Sequence, residues 1–243
     1  MNAVSRNILA VMPGFMRGIE ETGVIGEVVT QRGGNLEWVF RVREQPLPQA
    51  SASFDGLIVF GGEIGAHNPQ FASYFNDLYR LIRSFHDEQK PIFGSCLGAQ
   101  CIASAFGGEA KPQGFIEFGF VDLHKERAAQ ADQLLTDAPQ TISLFEMHYD
   151  TFTLPDGAER LMTGEKVVNQ TFRIGRKTYG FQCHFEATPE IVQTWKQRMD
   201  IADPVGALAI RKQMAELDSQ FQKFAEPQKS FGVQVMNRWM DLF

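Results

Sequence analysis

Short apolar runs recur through the first half of the chain, with stretches of helical spacing between them. NILAVM (7–12), LEWVFRV (36–42), GLIVFGG (56–62) and PIFGS (91–95) each predict a strand, because a brief apolar run bounded by turn residues fits a buried strand. Residues 25–33 predict a helix that stops at Gly33. Residues 69–88 place Phe71, Phe75, Leu78, Leu81, Ile82 and Phe85 three and four apart, which is one face of a helix. LGAQCIASAFGG, from Leu97, predicts a further helix closed by Gly107 and Gly108. Strands that alternate with helices predict a mostly parallel central sheet with helices on both faces, an α/β fold.

The pattern changes in the middle of the chain. FIEFGFVDLH (115–124) alternates like a strand, and LFEMHYDTFTLP (144–155) reads as a strand running into a loop. Residues 167–186 read as two strands joined at Gly175, Arg176 and Lys177. Thr188 then predicts the start of a helix over about 189–199. Residues 203–243 read as a helical C-terminal appendage in two stretches separated by Pro227. Phe231, Val235, Trp239 and Phe243 stand four apart in the second stretch. Such a face packs on the same domain or forms a homodimer or partner contact.

Composition narrows this picture. A chain of 243 residues with 44% apolar side chains buries a core without disulfide staples. The net charge of −6 lacks the basic excess of a nucleic-acid surface. The apolar runs are too short for a membrane span, and the N-terminus is a poor signal peptide because its apolar stretch stops at Pro13 and Gly14. Cys96, Cys101 and Cys183 form neither a disulfide framework nor a zinc spacing, which fits reduced thiols in a cytoplasmic protein. No metal or cofactor site is expected, and no phosphate-binding loop is present.

The sharpest chemical signal is PIFGSCLGAQ (91–100), a strand that runs through Gly94, Ser95, Cys96, Leu97 and Gly98 into a helix. A tight strand-to-helix turn lifts its central side chain above the sheet, so its neighbours must be small. The helix N-terminus favours a thiolate, and its free N–H groups can hold an oxyanion. A buried, inert cysteine at a strand end reads the same way when the motif stands alone. A cysteine nucleophile needs a base and an orienting group. Of the five histidines, His184 is the best placed, because GFQCHFE sets Glu186 two residues on, on the same side of an extended chain. A satisfied histidine at a strand end is the plainer reading of that block by itself.

Taken in order, these blocks resemble the class I, Cys-His-Glu glutamine amidotransferases, over roughly residues 5–195. GSCLGAQ is similar to the family's G-x-C-x-G-x-Q, and GFQCHFE to its Q-F-H-x-E, with Phe185 where proline is common. LIVFGG resembles the strand and glycine pair of the oxyanion hole, and MHYDTFTLP the loop that reads the substrate. Within the family, the layout resembles stand-alone members related to the amidase domain of GMP synthase.

The resemblance implies Cys96 as nucleophile, His184 as base and Glu186 as its orienting acid. It implies Gly62 and Leu97 as oxyanion donors, and Gln100, Tyr149 and Asp150 as substrate contacts. It implies residues 1–200 as the amidotransferase domain and 201–243 as a helical extension packed on it. The expected reaction is hydrolysis of the γ-amide of glutamine, with hydrolysis of a γ-glutamyl peptide or amine as the alternative. A non-catalytic binding module is the reading from another class. An α/β-hydrolase fits less well, because the acid here follows the histidine. The 45 or so residues after the amidase motifs are too few for a synthetase, so any ammonia acceptor is expected on a separate synthetase subunit.

Overall fold

A computed structural model of the protein describes residues 6–14, 18–202 and 204–243. Residues 1–5, at the start of the stretch that reads as a poor signal peptide, lie outside the described residues. So do the side chains of 206–212 in the amphipathic stretch.

A nine-stranded sheet organises the molecule. Its parallel half comprises β1 (Arg6–Met12), β2 (Gly34–Phe40), β3 (Gly56–Val59), β4 (Ile92–Ser95) and, arriving late in the chain, β9 (Thr178–Phe181). They lie in the order β2, β1, β3, β4, β9, every neighbouring pair parallel. This is the expected α/β sheet, and β4, which carries the elbow, is central to it. The sheet continues antiparallel through β8 (Thr171–Ile174), β7 (Ala158–Gly164), β5 (Ala110–Lys125) and β6 (Thr141–Phe152). β7 has no counterpart in the strands expected from the sequence. Only Leu161 and Met162 give it an adjacent apolar pair, and Glu159 and Arg160 mask the pattern.

Helices cover both faces. Along β1 the side chains alternate: Ile8, Ala10 and Met12 join one apolar cluster, and Leu9 and Val11 join the other. A strand buried on both faces must be apolar throughout, which is why NILAVM shows no polar alternation. The first cluster takes Val24, Ile25 and Val28 from α1 (Gly23–Gln31), and the second takes Phe75, Leu78, Ile82 and Phe85 from α2 (Ala72–Asp87). α3 (Leu97–Ala105) packs beside α2 through Leu97, Ala99 and Ile102.

The chain ends in α4 (Pro189–Ala202) and the long α5 (Pro204–Met240). The sequence predicts a helix break at Pro227, but Pro227 lies inside α5. Proline removes one hydrogen bond, to the carbonyl of Lys223, and packing on both sides offsets the loss. Leu217 and Phe221 before it pack with Phe118 and Phe145 of the β5–β6 hairpin, while Phe231, Val235 and Trp239 after it enter the main core. Gln228, fully buried, clamps the region: its Oε1 accepts from Phe145 N at 2.7 Å, and its Nε2 donates to Ala187 O at 3.0 Å.

Candidate active site

β4 delivers Cys96 in a conformation that only a tight turn requires, φ 50° and ψ −108°. A non-glycine residue at such an angle carries strain of about 1–3 kcal/mol, so the surroundings must hold it. Cys96 N donates to Phe181 O at 2.7 Å, and Gln100 N donates to Cys96 O at 3.1 Å. The small neighbours are needed for close approach. A Cβ on Gly98 would stand 1.9 Å from Val59 O, and one on Gly94 would stand 2.6 Å from Gly98 C.

β9 lies beside β4 and brings the second motif to the elbow. The strand ends at Phe181, so His184 and Glu186 do not share a side through strand alternation, as the sequence suggested. They meet in a turn closed by Ala187 N donating to His184 O at 3.0 Å. His184 Nδ1 lies 2.8 Å from Glu186 Oε1. The carboxylate can only accept, so Nδ1 carries the hydrogen and Nε2 is left for Cys96. Ser95 Oγ donates to the same Glu186 oxygen at 2.9 Å. The ring of Trp195 in α4 packs against His184 at 4.8 Å between centroids, and its Nε1 donates to Glu21 at 3.0 Å.

Burial alone would lower the pKa of His184, but the Cys96 sulfur and the Glu186 carboxylate outweigh it and raise it well above the ordinary value. The protonated imidazole is therefore favoured between the sulfur and the carboxylate. Burial pushes the thiols of Cys101 and Cys183 up, with neighbouring anionic groups adding to the shift, and both side chains are fully enclosed. That leaves Cys96 as the sulfur placed for chemistry.

The two residues expected to form the oxyanion hole are neighbours. Leu97 opens α3, where the first-turn N–H groups lack intrahelical partners. A Cβ on Gly62 would lie 3.1 Å from Leu97 Cδ2. Gly61, just before it, has a closer role, because a Cβ there would stand 3.1 Å from His184 Cε1 and 3.4 Å from Cys96 Cβ.

The expected substrate contacts divide. Gln100 is buried and already engaged: its Nε2 donates to Asp150 O at 3.2 Å and to Gln182 Oε1 at 3.1 Å. The Asp150 carboxylate faces His67, 3.2 Å away. Burial raises its pKa, with His67 and His148 opposing. Tyr149 is exposed on the hairpin.

His148 stands in the MHYDTFTLP block, and the sequence gives no sign of its surroundings. His148 donates from Nδ1 to Asp150 O at 2.8 Å, and its Nε2 lies 3.0 Å from Glu117 and 3.3 Å from Glu146. Gln170 Nε2 also donates to Glu117, at 2.8 Å. Glu117, Glu146 and His148 have the donor types of a metal site and converge closely enough for one. A cation there would need the Nε2 lone pair. Burial lowers the His148 pKa, but Glu117 and Glu146 overcome it and push it up to about 10, and Nε2 here faces the two carboxylates as a donor. Burial pushes Glu146 up to about 7 against the opposing pull of His148. In this structure the cluster is a buried ion-pair network beside Tyr149 and Asp150.

Comparison with known proteins identifies the family. Residues 25–195 match the family model for glutamine amidotransferase class-I, and the chain belongs to that family. It is 28% identical over 197 residues to the glutamine amidotransferase-like protein YfeJ of Salmonella typhimurium, covering 79% of this chain and 82% of that one. It is 28% identical over 143 residues to the glutamine-hydrolyzing GMP synthase of Cytophaga hutchinsonii, covering 58% of this chain and only 26% of the synthase. Among solved structures, a glutamine amidotransferase from Methylobacillus flagellatus superposes with a TM-score of 0.80 at 24% identity, covering 99% of this chain and 96% of that one. One from Thermotoga maritima superposes with a TM-score of 0.78 at 20% identity, covering 98% and 99%. Among the described residues, no helix is long and apolar enough to cross a membrane.

Proposed function

We propose that the protein hydrolyses the γ-amide of glutamine through a thioester on Cys96. The observation that carries this reading is the arrangement around Glu186. One carboxylate oxygen receives both His184 Nδ1 and Ser95 Oγ, which turns the imidazole toward the strained Cys96.

The steps follow from the groups present. His184 takes the Cys96 proton, and the sulfur attacks the γ-carbonyl carbon. The N–H groups of Leu97 and Gly62 receive the oxyanion. His184 then gives its proton to the amide nitrogen, and ammonia leaves as the C–N bond breaks. A water attacks the thioester, His184 takes the water's proton, and glutamate departs as Cys96 is restored. Glu186 keeps His184 in one tautomer and balances its charge throughout. The segment 149–150 receives the α-amino and α-carboxylate ends of the substrate, with Gln100 beneath it.

The named relatives include glutamine-hydrolyzing GMP synthases, of which this chain matches a quarter of the length. This likeness supports glutamine as the substrate and a synthetase as the user of its ammonia. Incubation with glutamine should release ammonia and glutamate in equal amounts, and Cys96→Ser should abolish both. A wild type that releases neither, from glutamine or from a panel of γ-glutamyl peptides and amines, overturns the reading.

A further inference from the structure

Two residues before His184, Gln182 is fully buried, and its Nε2 lies 3.5 Å from Cys96 Sγ. Hydrogen-bond logic fixes which end of its carboxamide faces the sulfur. The Asp150 carbonyl can only accept, so the end of Gln100 that meets it is Nε2. That same Nε2 meets Gln182 at 3.1 Å, so the Gln182 end facing it must be Oε1. The remaining end, Nε2, points its N–H at Sγ. Turning either amide over would set donor against donor or acceptor against acceptor in a site without exposed alternatives. The orientation is held further back as well, because His148 Nδ1 donates to the same Asp150 carbonyl.

We propose that Gln182 is a second catalytic residue of the Cys96 site, donating a hydrogen bond to the sulfur and stabilising it as a thiolate, with Gln100 as the residue that orients it. This rests on the glutaminase reading for its catalytic meaning. Cys96 is buried, so its anion has little water to solvate it, and a charged acceptor gains more from a fixed donor than a neutral one. His184 can serve the sulfur only while it carries the proton, and it gives that proton to ammonia. Gln182 is uncharged and neither takes nor releases a proton in this range, so it stays on the sulfur throughout. A thioester sulfur accepts hydrogen bonds poorly. The donor therefore favours the free thiolate over the acyl-enzyme and assists the sulfur's departure when water attacks.

The test is the pH profile of Cys96 alkylation by iodoacetamide without substrate, with the modified peptide identified by mass spectrometry. Cys101 and Cys183 are fully buried and do not compete. For Gln182→Met the profile should move about one pH unit upward, a tenfold loss of thiolate at a fixed pH. Gln182→Glu keeps the shape and the acceptor for Gln100 but sets a carboxylate on the sulfur, and should move it further. Gln100→Leu frees the Gln182 amide to turn and should move it in the same direction by less. If Gln182→Met does not melt as a folded protein, Gln182→Glu decides the question. Profiles that coincide with wild type, or move downward, overturn the proposal. A shifted profile in a protein that hydrolyses no γ-glutamyl compound sinks the glutaminase reading and leaves the Gln182–sulfur contact standing. Hydrolysis with coincident profiles sinks the role of Gln182 alone.

Discussion

Ser95 donates its hydroxyl to the same oxygen of Glu186 that receives Nδ1 of His184, at 2.9 Å and 2.8 Å. The residue before Cys96 thus steadies the carboxylate that orients His184. Ser95→Ala leaves the elbow small enough to form but removes one donor from a buried carboxylate, an effect of about 1–3 kcal/mol. We expect the glutaminase kcat to fall about tenfold or more, with the fold intact by circular dichroism. An unchanged kcat would show that the imidazole alone positions Glu186.

Two glycines separate activity from folding. Gly61→Ala places a methyl 3.1 Å from His184 Cε1, a contact that displaces the ring by a few tenths of an ångström, and 3.4 Å from Cys96 Cβ, an ordinary contact. Misplacement on that scale is expected to cost about tenfold in rate, while the overpacking penalty stays near 1–3 kcal/mol. Gly98→Ala drives a methyl to 1.9 Å from the Val59 carbonyl, and neither backbone can yield. The first variant is expected soluble with reduced activity, the second insoluble or melting far below wild type. Thermal melting with a glutaminase assay on both variants checks the pair.

The buried carboxylate of Glu146 gives the protein a pH dependence of known sign. Its pKa rises from an ordinary 4.5 to about 7 in the folded protein, because burial disfavours the charge. Folding then favours the proton. The associated stability is fully present below pH 4.5 and is lost as the pH rises through about 7. Glu146→Gln removes that ionisation. The melting temperature of the variant minus that of wild type should therefore increase between pH 4.5 and 8. A difference that stays flat or falls with pH contradicts the assignment.

Pro227 inside α5 leaves the Lys223 carbonyl without its helical partner. Pro227→Ala restores that bond and improves helix propensity, worth up to about 3 kcal/mol. At roughly 2–4 °C per kcal/mol for a domain of this size, the melting temperature should rise by several degrees. A fall would mean that the proline is needed to carry α5 from the β5–β6 hairpin to the main core.

The parts of the site legible in the sequence are those that local geometry dictates. The elbow needs small residues at fixed offsets from Cys96, and those offsets are visible as Gly94, Ser95 and Gly98. His184 and Glu186 are two residues apart, so their pairing could be read without a fold, although a turn and not strand alternation achieves it. Contacts that depend on β9 lying beside β4 were not legible. Ser95 and Glu186 are 91 residues apart, and Gln182 is 86 from Cys96. Glu117 reaches His148 only because β5 and β6 pair with those residues opposite each other. The antiparallel extension hid for a similar reason. β7 pairs with β5 and β8 on both sides, so its polar residues are tolerated by position and not by pattern.

The most direct test of the account is a rapid-quench intact-mass experiment with glutamine. Cys96 is predicted to gain the mass of one glutamyl group within a single turnover. The adduct should map to the peptide holding Cys96, be absent from Cys96→Ser, and decay as glutamate appears. Release of glutamate by wild type without any adduct on Cys96, or with undiminished rate in Cys96→Ser, would contradict the assignment of Cys96 as the nucleophile.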